Sequence, residues 1–318
     1  MPDPVPAKLS IHVPTQPVTI RVLPDGADLI LGRAPENDCV LAHDSVSRRH
    51  ARMSQTSDGC WIIEDLGSKN GVRIEGSRIE RHELTANQWL AIGDVFCEFE
   101  RVGEEAVEHL RARAEHRRQS SQLWIDRIAT TDNVDTLMDT LLRGIVDIAE
   151  CRRGFLLVMD TGGQLRVRAC HAMDAADLAG AAFSGSRSAV DRSIRERRAV
   201  YLSDRRDHDW LNDQASVVAR GIRALASLPL QHDGRLLGVA YADTDDEAKI
   251  FSELDADLLE AFAERASTAL AAIEIDSTLS RMESAFAGAG SSGPQKLRDA
   301  PAWHEGPARR GAFGGPRG

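Results

Sequence analysis

Residues 31–76 read LGRAPENDCVLAHDSVSRRHARMSQTSDGCWIIEDLGSKNGVRIEG, and this stretch determines the N-terminal fold. It contains three short polar motifs, Gly-Arg at 32–33, Ser-Arg-Arg-His at 47–50 and Ser-Lys-Asn-Gly at 68–71, separated by apolar runs such as 61–66. Loops held between strands are rigidly positioned and accessible, so they commonly bind ligands. These motifs offer mainly hydrogen-bond donors and no carboxylate, which predicts a site for an anion with several acceptor oxygens, namely phosphate.

Each of these residues also has an ordinary structural interpretation. A lone arginine such as Arg33 is commonly a solvated surface residue, and a lone serine such as Ser47 readily bonds to nearby backbone in a turn. Asn70 followed by Gly71 is a strong hairpin-turn signal. No Cys or His pairs with His50 at metal-site spacing, so we predict a structural histidine and no metal. A phosphate site is predicted by the three motifs occurring together and in this order.

In order and spacing, Gly32-Arg33, Ser47 to His50 and Ser68 to Gly71 resemble the forkhead-associated (FHA) domain over roughly residues 20–99. The resemblance implies a two-sheet β-sandwich whose loops at one end bind a phosphothreonine peptide. It implies an arginine and a serine on the phosphate, a second arginine beside them, and an asparagine on the peptide main chain next to a lysine. The implied phosphopeptide-binding residues are Arg33, Ser47, Arg48, Lys69 and Asn70, and the implied structural residues of the motif are Gly32, His50 and Gly71.

The sequence departs from the family at two positions. Val72 stands where the family often has Thr, and Glu75-Gly76 stands where it often has a second Asn-Gly. Neither change removes a phosphate contact. We expect both to alter the end of the adjoining turn and the preference for residues that flank the phosphothreonine.

The composition indicates an ordinary protein of two domains. The 318 residues are 42% hydrophobic and 28% charged, which suffices for buried cores. A net charge of −10 argues against general nucleic-acid binding, which needs clustered Lys and Arg. We expect no membrane span and no secretory signal, because no apolar run is long enough and the N-terminus lacks a basic region followed by an apolar one. Five scattered cysteines without a Cys-x-x-Cys pair indicate reduced thiols in a cytoplasm.

Periodicity divides the first part of the chain into three regions. Residues 1–16 are punctuated by proline and are predicted to be an extended lead-in. Residues 17–102 contain short strand-like runs bounded by turn residues, which is typical of an all-β sandwich. Residues 103–129 have a thin apolar stripe among dense charge, which predicts a helical linker. Both a solvated connector and a short parallel coiled-coil dimer fit this stripe, although residues 116–122 interrupt it.

Residues 130–276 predict an α+β domain with a mainly antiparallel sheet, because helical and strand-like patterns alternate along them. Segments 152–160, 227–243 and 251–274 are similar to the GAF domain, a relative of PAS domains. The resemblance implies that this domain senses a small molecule or mediates dimerisation. The expected turn and cap residues are Gly162-Gly163, Asp233-Gly234, Asp132 or Asp135 at the first helix, and Ser252 with Asp255 at the last.

The GAF-like region lacks the signature of any particular ligand. Asn212-Asp213-Gln214 stands without the rest of the cyclic-nucleotide motif, and Cys170 falls in a predicted strand instead of a bilin-binding loop. No pattern supports haem bound through His171 or His208. We therefore predict no cofactor and leave any small ligand unidentified.

No enzyme motif appears, whether a Gly-rich P-loop, a kinase Asp-Phe-Gly or a Gly-x-Ser-x-Gly elbow. Asp243, Asp245 and Asp246 form an acidic cluster able to hold a metal, but an exposed acidic loop is the simpler interpretation. Free-methionine sulfoxide reductases, an enzymatic branch of the GAF family, use several cysteines around the pocket. Cys151 and Cys170 alone do not reproduce that set, so we predict that the protein is not an enzyme.

These observations predict a cytoplasmic, bacterial, phosphothreonine-dependent adaptor in Ser/Thr-kinase signalling, coupled to a GAF-like sensory or dimerisation domain. Its predicted partners are a phosphorylated kinase or kinase substrate, an unidentified small ligand, and a second copy packed through helices near 104–127 and 252–275. The alternative is a GAF-centred small-molecule sensor or redox enzyme of the free-methionine sulfoxide reductase type, merely tethered by the FHA-like domain. Residues 277–318, rich in Gly, Ala and Pro, are predicted to be a helix end and a disordered tail.

Overall fold

The computed structural model describes residues 6–14, 16–85, 87–131, 133–160, 162–173, 186–203 and 221–290. The predictions for Asp132, His208, Asn212 to Gln214 and the C-terminal tail after residue 290 therefore lie outside the described residues. The described residues up to Ala271 belong to one compact unit, and those after it belong to a second. Within the described part of the chain, no helix combines the length and apolarity needed to cross a membrane.

The N-terminal domain is a β-sandwich of two sheets, as predicted. One sheet has the order β2-β1-β11-β10-β7-β8 and the other has the order β4-β3-β5-β6-β9. Neighbouring strands are antiparallel except β3 and β4, which are parallel. The strands are β1 (Ala7–His12), β2 (Thr19–Leu23), β3 (Asp28–Gly32), β4 (Cys39–Val40), β5 (Ala51–Gln55), β6 (Trp61–Asp65), β7 (Val72–Ile74), β8 (Ser77–Ile79), β9 (Arg81–Leu84), β10 (Gln88–Ile92) and β11 (Val95–Arg101).

The core of the sandwich forms where the inward-facing residues of the two sheets meet. Trp61 and Met53 from one sheet and Leu9 and Phe99 from the other are fully buried in a single apolar cluster. The rings of Trp61 and Phe99 pack edge to face with their centroids 5.9 Å apart. Burying each such side chain contributes roughly 1.5–3 kcal/mol to stability, so this core gives the loops a rigid base.

The prediction of an extended lead-in at residues 1–16 is wrong for Ala7–His12. This segment is β1, an interior strand paired with both β2 and β11, and Leu9 lies opposite Phe99. Among the described residues, Pro6 precedes the strand and Pro14 follows it, so neither removes a hydrogen bond from the sheet. The sandwich therefore begins at Ala7 and not at residue 17.

The linker is the continuous helix α1 (Glu104–Ala129), which is largely exposed or half-buried, as a solvated connector would be, but is also bonded to the second domain. Its Trp124 indole donates a hydrogen bond to Asp147 at 2.7 Å. Its Arg117 donates to the carbonyl of Ile148 at 2.6 Å and pairs with Asp255. These contacts pack α1 against the second domain. The coiled-coil dimer stays a prediction.

The second domain has the predicted α+β architecture. Its antiparallel sheet has the strand order β13-β12-β16-β15-β14. On one face, two helices pack closely together. A Cβ atom at Gly144 of one helix would lie 2.3 Å from the Phe262 ring of the other. The elements are α2 (Val134–Ile148), β12 (Arg153–Met159), β13 (Leu165–His171), α3 (Arg187–Glu196), β14 (Val200–Ser203), β15 (Ala224–His232), β16 (Arg235–Thr244) and α4 (Glu253–Gly290).

The helix caps of this domain agree with the prediction at one end and differ at the other. The capping box at Ser252 and Asp255 is confirmed, since the Asp255 amide donates to Ser252 Oγ at 3.2 Å and the Ser252 amide donates to Asp255 at 2.6 Å. The N-cap of α2 is Asn133, whose side chain accepts from the Thr136 amide at 3.1 Å. Asp135 lies inside the helix instead, where its charge suits the first turn.

Two further predictions for this domain need correction. Asp243 does not lie in an exposed loop, because it is a fully buried residue of β16 that accepts from Arg153 Nε at 2.6 Å. A buried carboxylate needs such a partner, and the basic residue stands on the neighbouring strand. Helix α4 continues past Ser280, where a disordered tail was expected, as far as Gly290.

The two domains share a hydrogen-bonded junction. The Val18 amide donates to the carbonyl of Phe251 at 2.8 Å, and the Glu253 amide donates to the carbonyl of Val18 at 2.9 Å. Val18 and Ser252 thereby form a parallel bridge just before β2 and α4. The Thr19 hydroxyl adds a bond to Glu253 at 2.6 Å. The entry into β2 is therefore fixed to the start of α4.

Candidate functional site

The predicted site residues lie on three connections at one end of the sandwich. Arg33 follows β3, Ser47 and Arg48 lie between β4 and β5, and Lys69 and Asn70 lie between β6 and β7. All five are at least partly exposed to solvent. The structure therefore brings together the backbone of three motifs that are distant in sequence.

Backbone hydrogen bonds join the first connection, after β3, to the second, between β4 and β5. The Arg33 amide donates to the carbonyl of Ser47 at 3.0 Å, and the Ala34 amide donates to that of Arg48 at 3.2 Å. Gly32 permits this approach, because a Cβ atom at that position would lie 2.2 Å from the Arg48 carbonyl oxygen. The Asn37 side chain donates to the same oxygen at 2.6 Å and holds the two connections together.

His50 supports the second and third connections from inside. Its Nδ1 atom accepts from the Ser47 amide at 3.0 Å, which places the ring proton on Nε2, 3.1 Å from the carbonyl oxygen of Gly71. Burial lowers the pKa of His50 and outweighs the opposing effect of its bond to Gly71. The ring is therefore a neutral buttress of the loop that carries Ser47.

Ser47 and Asn70 link the second connection to the third. Ser47 Oγ accepts from the Lys69 amide at 3.1 Å, so its own proton can be directed to an incoming acceptor. The Asn70 side chain donates to the carbonyl of Ser45 at 2.7 Å, which orients its oxygen to accept a bond. Gly71 follows with φ +78°, a conformation that favours glycine.

Four cations on these loops have no ion-pair partner among the described residues, although Asp44 lines the same cavity as Arg33. Arg33, Arg48, Arg49 and Lys69 are exposed, and no carboxylate of the described residues lies within ion-pair distance of any of them. Arg52, in contrast, binds Asp28 through two bonds of 2.6 Å. Cations held together without counter-charges favour an anionic ligand.

Sequence reasoning missed four residues that shape the site, namely Asn37, Ser45, Arg73 and Asp94. The Asp94 amide donates to Ser45 Oγ at 2.8 Å, which ties the turn between β10 and β11 to the second connection. Arg73 donates to the carbonyl of Gly93 at 2.6 Å beside this turn. These contacts join residues far apart in sequence, so no local pattern reveals them. Asn37 lies in a run of turn formers, the one signal that could have marked it.

In the second domain, the described residues of interest are two cysteines and a buried pair of aromatic rings. Burial raises the pKa of the Cys151 thiol to about 12, and Cys170 lies in β13 beside Phe155 of β12. Tyr241 stacks on Phe155 with ring centroids 4.7 Å apart and accepts at its hydroxyl from the Ser186 amide at 3.0 Å. Within the described ranges, no group of three or more His, Cys, Asp or Glu residues is arranged to hold a metal ion.

Comparison with known proteins divides the chain in the same way. Residues 29–93 match the FHA domain family, and residues 131–271 match a GAF domain family. The chain is similar to the FHA domain-containing protein FhaB of Mycobacterium tuberculosis, with 35% identity over 80 residues, 25% of this chain and 45% of the relative. Its counterpart in Mycolicibacterium smegmatis is 39% identical over 51 residues, 16% of this chain and 32% of the relative. The match thus spans less than half the length of these relatives.

Solved structures resemble each domain separately. The FHA domain of the CT664 protein from Chlamydia trachomatis is 34% identical and covers 31% of this chain and 99% of its own, with a TM-score of 0.29. The GAF domain of an Acinetobacter phosphoenolpyruvate-protein phosphotransferase is 13% identical and covers 49% of this chain and 93% of its own, with a TM-score of 0.39.

Proposed function

This chain contains an FHA domain followed by a GAF domain, and we propose that it is a phosphothreonine-dependent protein-binding adaptor in Ser/Thr-kinase signalling. Its partner would be a phosphorylated kinase or a substrate of one. The GAF domain would add sensing of a small molecule or dimerisation. We place this activity in the cytoplasm of a bacterium, where such kinases and their substrates meet.

One observation supports phosphate binding above the others. The loop of Ser47 and the two loops bonded to it carry four exposed cations without carboxylate partners among the described residues, and the Ser47 hydroxyl oxygen accepts from the Lys69 amide. A phosphate oxygen could accept the Ser47 proton while the guanidinium of Arg33 supplies one or two further bonds. Each bond to a charged group contributes roughly 1.5–3 kcal/mol, so removing one cation should abolish measurable binding of a short peptide.

The remaining predicted residues would fix the peptide backbone. Asn70 has its amide nitrogen on Ser45, so its oxygen would accept a main-chain N–H of the peptide. Arg48 follows Ser47 in the chain and the Lys69 amide donates to the Ser47 hydroxyl, so both cations would add long-range attraction near it. Gly32, His50 and Gly71 would act indirectly, because they hold the loops and do not face the ligand.

Fluorescence anisotropy with a degenerate phosphothreonine peptide library tests this proposal. We expect the full chain to bind the phosphothreonine library and to ignore the same library with unmodified threonine. Arg33→Ala should abolish binding without changing thermal unfolding. Arg52→Ala is the matched control, because Arg52 belongs to the same sandwich but is paired with Asp28. Equal binding of phosphorylated and unphosphorylated libraries would refute the proposal.

The competing proposal makes the GAF domain the working part, as a sensor or a redox enzyme. The thiol of Cys151 is poorly suited to redox chemistry, since burial raises its pKa to about 12 and the thiolate is the reactive form. We therefore propose that the protein acts by binding and not by catalysis. Native mass spectrometry of freshly purified protein discriminates the two, because a co-purifying small molecule would favour the sensor.

A further inference from the structure

The outer face of the sheet that contains β1 has large apolar side chains where a solvent-facing sheet is ordinarily polar. Trp89 is 51% exposed, Phe96 is 56% exposed and Ile20 is 44% exposed. The imidazole of His12 packs on Trp89 with ring centroids 5.2 Å apart. We call these four residues the aromatic patch.

Strand register places the aromatic patch in two adjacent rows. Across β2, β1, β11 and β10, the first row consists of Ile20, Ser10, Glu98 and Trp89. Across β1, β11, β10 and β7, the second row consists of His12, Phe96, Ala91 and Arg73. Diagonal neighbours on such a sheet lie about 7–8 Å apart, which brings Trp89 and Phe96 within reach of each other beside the His12 ring, while Ser10 and Glu98 separate Ile20 from Trp89.

The second row runs directly into the proposed phosphopeptide site. Arg73, at its end, donates to the carbonyl of Gly93 at 2.6 Å and to that of Asn70 at 3.4 Å. The next residue after Gly93, Asp94, donates to Ser45, which also accepts from Asn70. The loop that would hold the peptide backbone is therefore contiguous with the row that contains Phe96.

We propose that the aromatic patch is a second contact for the phosphorylated partner, so this inference rests on the proposed function. A leucine, isoleucine or aromatic side chain near the phosphothreonine would pack on Trp89 and Phe96. Phe96 lies two residues beyond Asp94, about 7 Å along β11. An extended peptide advances about 3.3 Å per residue, so the apolar residue would stand about two positions beyond the peptide residue that lies against Asp94.

Positional phosphothreonine peptide libraries test this inference without a known partner. Each library fixes leucine or serine at one position on either side of the phosphothreonine and randomises the rest. We expect leucine at one such position to tighten binding to the full chain by about tenfold relative to serine, the effect of burying one leucine. Trp89→Ser and Phe96→Ser should each remove this preference. Leu123→Ser is the matched control, because Leu123 is 61% exposed on α1.

The outcomes separate this inference from the function on which it rests. Phosphothreonine-dependent binding that shows no leucine preference, or a preference that survives Phe96→Ser, would overturn the second contact alone. Absence of phosphothreonine-dependent binding would overturn the proposed function as well. Sedimentation equilibrium of the unliganded chain provides the remaining test. A dimer that Phe96→Glu converts to monomer would assign the aromatic patch to self-association and overturn the inference.

Discussion

Ser47 Oγ accepts a hydrogen bond from the backbone amide of Lys69 at 3.1 Å, across 22 residues of sequence. This bond occupies one acceptor site of the hydroxyl oxygen and leaves the hydroxyl proton able to be donated to a ligand. It also means that Ser47 has two tasks, because the hydroxyl aligns the third connection and would bind phosphate. A substitution there should therefore affect both the shape and the affinity of the site.

Ser47→Ala is expected to weaken phosphothreonine peptide binding by tenfold or more, since a bond to a charged group contributes roughly 1.5–3 kcal/mol. Fluorescence anisotropy of the full chain measures the effect. Ser77→Ala, at an exposed position of β8, is the control and should bind as the wild type does. An unchanged affinity for Ser47→Ala would show that this hydroxyl does not touch the phosphate.

Gly32→Ala is expected to destabilise the FHA domain by about 2 kcal/mol or more, because the added methyl would lie 2.2 Å from the Arg48 carbonyl oxygen. Hydrogen exchange of peptides from residues 31–71 reports this local stability. Gly103→Ala is the control, since nothing lies within 4 Å of a Cβ atom at that position. Equal protection in the two variants would contradict the close packing of the first two connections.

His50 should make FHA-domain stability depend on pH. Burial lowers its folded pKa below 6.5, so the unfolded chain binds more protons than the folded one in the window between the two pKa values. The stability that depends on neutral His50 is present above pH 6.5 and is lost as the pH falls through that window. Hydrogen exchange at pH 5.5 and pH 7.5 measures it. His50→Gln should destabilise the domain at the higher pH by roughly 1–3 kcal/mol and should flatten the pH dependence.

Arg117→Met is expected to destabilise the second domain by roughly 3 kcal/mol, because it leaves the buried Asp255 carboxylate with Lys249 as its remaining ion-pair partner among the described residues. Although burial alone would raise the pKa of Asp255, Lys249 and Arg117 hold it below its usual value. The resulting stability is therefore present above the ordinary aspartate pKa and is lost as pH falls below it. Urea unfolding measures this effect. Arg113→Met is the control, because Arg113 forms an exposed ion pair with Glu150, and it should change stability by less than about 1 kcal/mol.

Cys151 should resist alkylation in the folded protein. Burial raises the pKa of its thiol to about 12, so little of the reactive thiolate is present at pH 8. Mass spectrometry after brief iodoacetamide treatment should find Cys151 labelled in urea and unlabelled without it. Rapid labelling of the native chain would revive the redox interpretation of the GAF domain.

The N-terminal fold and the meeting of its three motif loops at one end could be predicted from sequence because the motifs are short and local. Strand β1 escaped prediction, since the prolines before Ala7 outweighed the alternation that follows them. The roles of Ser45 and Asp94 could not be predicted either, because their bond joins residues 49 positions apart. Whether Arg33 binds phosphate stays a prediction, as do the roles of the other motif residues.

The second domain shows a different limit of sequence reasoning. The sequence pattern predicts an exposed acidic loop at Asp243, because two further aspartates follow it closely. Its burial depends on Arg153, which lies 90 residues away in sequence and opposite it on β12. Composition describes average exposure and does not identify such a pair. The capping box at Ser252, in contrast, is a local signal, and the reciprocal bonds between Ser252 and Asp255 confirm it.

The bridge between Val18 and Ser252 has a practical consequence for dissecting this protein. Excising a fragment at residues 17–102 would delete an interior strand and strip the amide and carbonyl of Val18 of their acceptor and donor. Such a fragment would expose unpaired sheet edges to solvent, and unpaired edges promote aggregation. Failure of that fragment to bind phosphopeptide would therefore say nothing about the intact molecule.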